Sequence, residues 1–150
     1  MFYKRQEFYR SLTAAYPGLV ERIKKVVDGS EEKAAAAGRA GRGYLWEHSV
    51  LVASLAFRLA GEEKEDGLCA SLAALFHDSG KFVGGKYHSG DEAEEEAAAR
   101  IAREVLGQAG LPSAVTGHVV RSIRSLYSSG ARRNILTDIL HDSDFLAKSG

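Results

Sequence analysis

Apolar residues recur at steps of three and four through most of this chain and rarely alternate. That spacing turns one stripe of each segment toward a core, as a helix does; a half-buried strand needs a period of two. Alanine is abundant, runs of β-branched residues are short, and only two prolines occur, Pro17 and Pro112. No strand or hairpin signal and no internal repeat is visible. The expected fold is all-α, a single-domain helical bundle of five to seven helices. With 150 residues, 45% of them hydrophobic, the chain can bury one sizeable core.

Element boundaries follow from the punctuation. Residues 2–16 place Phe2, Phe8, Tyr9, Leu12 and Tyr16 roughly on one side, and Pro17-Gly18 interrupts them. A second piece carries Leu19, Val20, Ile23, Val26 and Val27 and is expected to stop at Asp28-Gly29-Ser30. Residues 1–30 thus read as an N-terminal helical extension packed on the core. In "EEKAAAAGRAGRGY" the alanines suggest a short helix, and Gly38, Arg39, Gly41, Arg42 and Gly43 suggest a flexible basic connector. It lacks the spacing of a phosphate-binding P-loop, and no strand precedes it.

Residues 44–60 form the clearest helix, with Leu51, Val52, Leu55 and Leu59 on one stripe and Glu47, Ser54 and Arg58 opposite. A charged link leads to "SLAALFHDSGKF", residues 71–82, where an apolar helix stops and glycines begin. The segment "SGDEAEEEAAARIAREVLGQAG" opens with Ser89 three residues before Glu92, a capping-box arrangement. Its acidic first turns suit the helix dipole and read as a solvated helix start. Gly107 and Gly110 close that helix, and Pro112 opens one carrying Val115, Val119, Ile123 and Leu126. A last helix carries Ile135, Leu136, Ile139, Leu140 and Leu146.

Several classes of function are disfavoured. Twenty basic and twenty acidic residues cancel, leaving no field for a nucleic-acid polymer or an anionic membrane. No stretch reaches the roughly 18–20 apolar residues of a membrane span, and "MFYKRQEFYR" has no signal-peptide core. The lone cysteine, Cys69, cannot form an internal disulfide or a cysteine zinc site. It reads as a small buried hydrophobe and favours a cytoplasmic location.

Three polar anomalies break the apolar stripes. His77-Asp78 sits where a buried helix terminates; adjacent residues diverge by about 100° on a helix, so a pair of this kind converges best where the helix ends. His48 lies on the apolar side of its helix, one turn before Val52, and taken alone reads equally well as a core imidazole bonded to a carbonyl. Asp144 follows Leu140 by one turn on the inward side of the last helix. A buried carboxylate is costly unless paired or bound to a cation. One divalent ion held by two imidazoles and two carboxylates accounts for all three. That N/O set suits Mn²⁺, Fe²⁺, Co²⁺, Ni²⁺ or Zn²⁺, with Mg²⁺ as a further candidate.

The stretches "YLWEHSVLVASLAFRLA", "LAALFHDSGKF" and "HDSDFL" together resemble the HD-domain metal-dependent phosphohydrolase superfamily. The resemblance spans residues 44–148. It places the family's metal ligands on His48, His77, Asp78 and Asp144, with Asp144 preferred over His141 and Asp142 because it directly precedes Phe-Leu. It implies a helical bundle, a bound divalent metal, and hydrolysis of a phosphomonoester or phosphodiester in a small phosphorylated, nucleotide-like substrate. Asp78 and Lys81 are the implied catalytic residues, Lys81 offering charge to the substrate phosphate or the developing oxyanion. His118 matches a histidine that lines the site or serves a second metal in some branches. Glu94 and Glu95 stand near where those branches carry another histidine, and His88 lies just upstream. One metal is therefore expected, with Lys81, His88 and His118 contacting substrate. Two alternatives are a dinuclear iron oxygenase of the same superfamily and a non-catalytic module binding a nucleotide or a partner.

Overall fold

The computed structural model describes residues 2–36, 43–88, 90–126 and 134–149. Among these are seven α-helices and no strand: α1 Phe2–Ala15, α2 Leu19–Ala36, α3 Tyr44–Glu62, α4 Gly67–Phe76, α5 Glu92–Gln108, α6 Ser113–Arg124 and α7 Ile135–Ser149. A short 3-10 turn, Val83–Gly85, lies between α4 and α5. The all-α, single-domain expectation is met.

Helix α4 is the axis of the bundle. Every residue from Cys69 to Phe76 is buried, which explains why its sequence is apolar on all sides. Asp66 caps its start, accepting from the amides of Leu68 at 2.9 Å and Cys69 at 3.2 Å. Helices α1, α3, α5, α6 and α7 all pack against it. The closest partner is α3, whose buried face is Leu45, Ser49, Val52, Ala53, Ala56 and Ala60. The expected stripe of Leu51, Val52, Leu55 and Leu59 is therefore displaced: the leucines are half-buried, and alanines are fully buried in their place. Small buried residues on both helices, Ala53, Ala56 and Ala60 on α3 and Ala70, Ala73 and Ala74 on α4, allow helices this closely packed to bring their backbones near one another.

Two other boundaries differ from the sequence reading. Helix α2 does not stop at Asp28-Gly29-Ser30 but continues to Ala36 and takes in the first three alanines of the run. An interior glycine costs only about 1 kcal/mol. The continuation carries Glu31, whose buried carboxylate accepts from the amides of Tyr44 at 3.0 Å and Leu45 at 2.9 Å. Those amides are unpaired helix-start donors, so Glu31 ties α2 to the beginning of α3. The expected basic connector from Gly38 to Arg42 lies outside the described residues.

Helix α5 is capped by Asp91, which accepts from the amide of Glu94 at 2.9 Å. Ser89, the expected cap, lies outside the described residues. The acidic start is not uniformly solvated: Asp91 and Glu92 are exposed, whereas Glu94 and Glu95 are buried. The cause is the close approach of the turn after α4. A Cβ on Gly80 would collide with the Glu94 carbonyl oxygen and lie 2.8 Å from the Ala98 nitrogen, so only glycine lets this turn lie against α5.

Phe8 and Leu12 of α1 and Leu19, Val20, Ile23 and Val27 of α2 belong to the same apolar core as α3 through α7. Burying a large side chain of this kind contributes roughly 1.5–3 kcal/mol. Cys69 is part of that core, and burial pushes its thiol up to about 12, so it behaves as a hydrophobe rather than a nucleophile. Among the described residues, no helix is long and apolar enough to cross a membrane.

Candidate metal centre

Helix α4 ends at Phe76, and His77 and Asp78 occupy the consecutive turns that follow. This placement frees both adjacent side chains from helical divergence, and the His77 Nε2 lies 3.4 Å from Asp78 Oδ1. The His77 Nδ1 donates to the carbonyl of Ala74 at 2.6 Å. The bond orients the ring and directs Nε2 inward, the arrangement that fixes a ligating histidine.

His48, one turn into α3, brings its Nε2 to 2.9 Å from Asp144 Oδ1 and 3.5 Å from Asp78 Oδ2. Its ring lies parallel to that of Tyr44, with centroids 6.3 Å apart. Asp144 comes from the inward side of α7, and its Oδ1 is also 3.3 Å from His77 Nε2. One donor atom from each of His48, His77, Asp78 and Asp144 lies within 4.8 Å of the others. His141 and Asp142, the sequence competitors of Asp144, are exposed and paired with each other at 3.5 Å.

Two lysines complete the electrostatics. Lys148, one turn after Asp144, reaches Asp144 Oδ2 at 2.9 Å. Lys81 Nζ lies 3.5 Å from Asp78 Oδ1 and 3.2 Å from Glu94 Oε1, and 5.7 Å from the centre of the Tyr87 ring. Burial pulls the His77 imidazole down, but the charges of Asp78 and Asp144 outweigh it and carry the group up to about 9. Burial likewise raises Asp78 and Asp144. His77, Lys81 and His48 outweigh it for Asp78, and hydrogen bonds from His48 and His77 outweigh it for Asp144; both carboxyls end below their ordinary range. In the metal-free protein, the charged His77 imidazole and the Lys81 ammonium thus face the two carboxylates.

This donor set fits a divalent ion. Ligands sharing one first-row cation at about 2.0–2.2 Å lie no more than about 4.4 Å apart, and the present set is within roughly half an ångström of that span. Two imidazole nitrogens and two carboxylate oxygens suit borderline and hard divalent metals. Among the described residues no second group of three or more such side chains is gathered.

The remaining sequence candidates stand outside that group. His88 has both ring nitrogens engaged, Nδ1 with Asp91 Oδ2 at 2.7 Å and Nε2 with the carbonyl of Val83 at 2.9 Å. Both partners are acceptors, so the ring carries two protons; the Asp91 hydrogen bond and then the Val83 carbonyl raise its pKa. His118 is half-buried on α6. Lys148, Glu94 and Glu31 were not anticipated as partners of the site or its helices. Lys148 was signalled by its i+4 spacing from Asp144. Glu94 was signalled by Ala98 and Ala102 at i+4 and i+8, both fully buried, which put it on the inward stripe.

A two-histidine, two-aspartate set, buried except for the half-buried His48, defines an all-helical domain with a group of side chains that could hold a divalent metal. The HD domain family model matches residues 45–144, from the first turn of α3 to Asp144 itself, and the chain belongs to that family. Comparison with curated proteins and with solved structures gave no match.

Proposed function

We propose that the protein is a metal-dependent phosphohydrolase that cleaves a phosphomonoester or phosphodiester bond of a small, nucleotide-like substrate. The observation that carries this reading is the convergence of His48 from α3, His77 and Asp78 from the turn after α4, and Asp144 from α7 on one largely buried point. A divalent ion held there lowers the pKa of a water and polarises a phosphoryl oxygen. The protein's own groups do the rest. Asp78 and Asp144 offset the charge of the cation. His77 is held in the ligating tautomer by Ala74. Lys81, the cationic side chain beside Asp78, supplies a fixed positive charge for the phosphate and for the oxyanion that develops on it. Contacts of His88 and His118 with substrate rest on the family resemblance alone. A cytoplasmic location and the absence of membrane or nucleic-acid partners belong to the same reading, supported by the balanced charge and the lone, buried Cys69.

The test is a screen of phosphatase and phosphodiesterase substrates with Mn²⁺, Co²⁺, Ni²⁺ and Mg²⁺, wild type beside Asp78→Ala. The expected result is metal-dependent hydrolysis by the wild type alone. Absence of hydrolysis together with equal metal binding by the variant overturns the reading. The oxygenase alternative needs His88 and His118 as further ligands; His88 is committed to Asp91 and Val83, and the geometry favours one ion.

A further inference from the structure

Glu94 is fully buried, and the chemistry above gives it no task. Its two oxygens do separate jobs. Oε2 accepts from the amide of Gly90 at 2.7 Å, which fixes the carboxylate against the start of α5. Oε1 accepts from Lys81 Nζ at 3.2 Å. The same ammonium stands 3.5 Å from Asp78 Oδ1, a longer contact beyond hydrogen-bond reach. Lys81 therefore hangs between two buried carboxylates and is bonded to the one that is not a candidate metal ligand. The approach is enforced by the backbone, because Gly80 lies against the Glu94 carbonyl with no room for a Cβ.

The arrangement matters because an ammonium and a divalent ion compete for the same oxygens. Free to move, Lys81 would close the contact with Asp78 and neutralise a ligand the cation needs. We infer that Glu94 is a positioning residue that holds Lys81 off Asp78, keeping that carboxylate open to the metal while leaving the ammonium beside the site. The inference rests on the metal site proposed above.

The experiment is calorimetric titration of the full chain with Mn²⁺ in four backgrounds: wild type, Glu94→Gln, Lys81→Met and the double variant. Glu94→Gln is expected to weaken binding about tenfold, at the lower edge of what outer partners of metal ligands contribute. In the Lys81→Met background the same substitution is expected to change nothing, because no ammonium remains to be restrained. An equal loss in both backgrounds is the signature of a bare through-space charge and overturns the inference, as does wild-type affinity in Glu94→Gln. Should Glu94→Gln fail to fold, Glu94→Asp replaces it with the same expectations, since it keeps the charge but withdraws the oxygens by one methylene. A wild type that binds no Mn²⁺, Co²⁺, Ni²⁺ or Zn²⁺ removes the metal site and this inference together; wild-type binding with no effect of Glu94 removes the inference alone.

Discussion

Two clusters in this protein are built from the same chemistry, histidine beside carboxylate, and they behave differently. In the turn before α5, His88 bonds Val83 and Asp91, five and three residues away, and Asp91 in turn caps α5 at Glu94. Every group there is satisfied by a near neighbour in sequence. At the end of α4 the partners are remote: His77 and Asp144 are 67 residues apart, and His48 and Asp144 are 96 apart. Local pairs of the first kind fold a turn. Distant convergence in a buried place spends long-range order on charged groups that water would solvate better, a cost that a divalent cation held by the four groups would offset.

The largest expected effect sits at the distant cluster. Asp78→Ala should lower Mn²⁺ affinity by more than the roughly 10–100-fold that an outer partner costs, measured by titration calorimetry. Retention of wild-type affinity would erase the contrast between the clusters. Next comes Gly80→Ala, which forces a methyl into the backbone of α5. We expect a loss of about 1–3 kcal/mol, the usual range for overpacking, read from urea unfolding. A neutral result would mean the turn can retreat from α5.

The pH dependence of the metal-free protein sharpens the comparison further. The His77 pKa is raised in the folded state, so its stabilising contribution is complete below the unfolded value near 6.5 and is lost as pH climbs through about 9. Asp78 and Asp144 are depressed, so their contribution is present above the unfolded value near 3.9 and is lost as pH falls toward their lowered values. Melting temperature without metal should therefore decline from pH 6.5 to 9, a loss on the order of a few kcal/mol. Saturating Mn²⁺ should flatten that decline, because the ion takes the place of the His77 proton. A flat metal-free profile would show that the imidazole is not held charged by its neighbours. The smallest effect is expected at the local cluster. His88→Gln should lower the melting temperature slightly and leave Mn²⁺ affinity unchanged; a clear loss of affinity would join the two clusters into one site.

Much of this was legible in the chain. Helical spacing and the scarcity of proline announced an all-α bundle, and His48, His77, Asp78 and Asp144 stood out as polar breaks in apolar stripes. What stayed hidden has a common origin in packing between helices. The buried face of α3 is built on Ala53, Ala56 and Ala60 rather than on its leucines, a choice set by how closely neighbouring helices pack, which hydrophobicity alone does not reveal. The continuation of α2 through Gly29 is supported by Glu31 reaching the start of another helix, a contact no local propensity encodes. Glu94 looked like one more acid in a charged run, yet the approach of Gly80 buried it and gave it Lys81.

The most direct test of the account is a crystal structure of the protein grown with Mn²⁺, with data collected to show the anomalous signal of the ion. The account predicts a single strong peak enclosed by His48 Nε2, His77 Nε2 and the carboxylates of Asp78 and Asp144. A protein that takes up no ion there, with His48 still hydrogen-bonded to Asp144 and any manganese bound elsewhere, would contradict it.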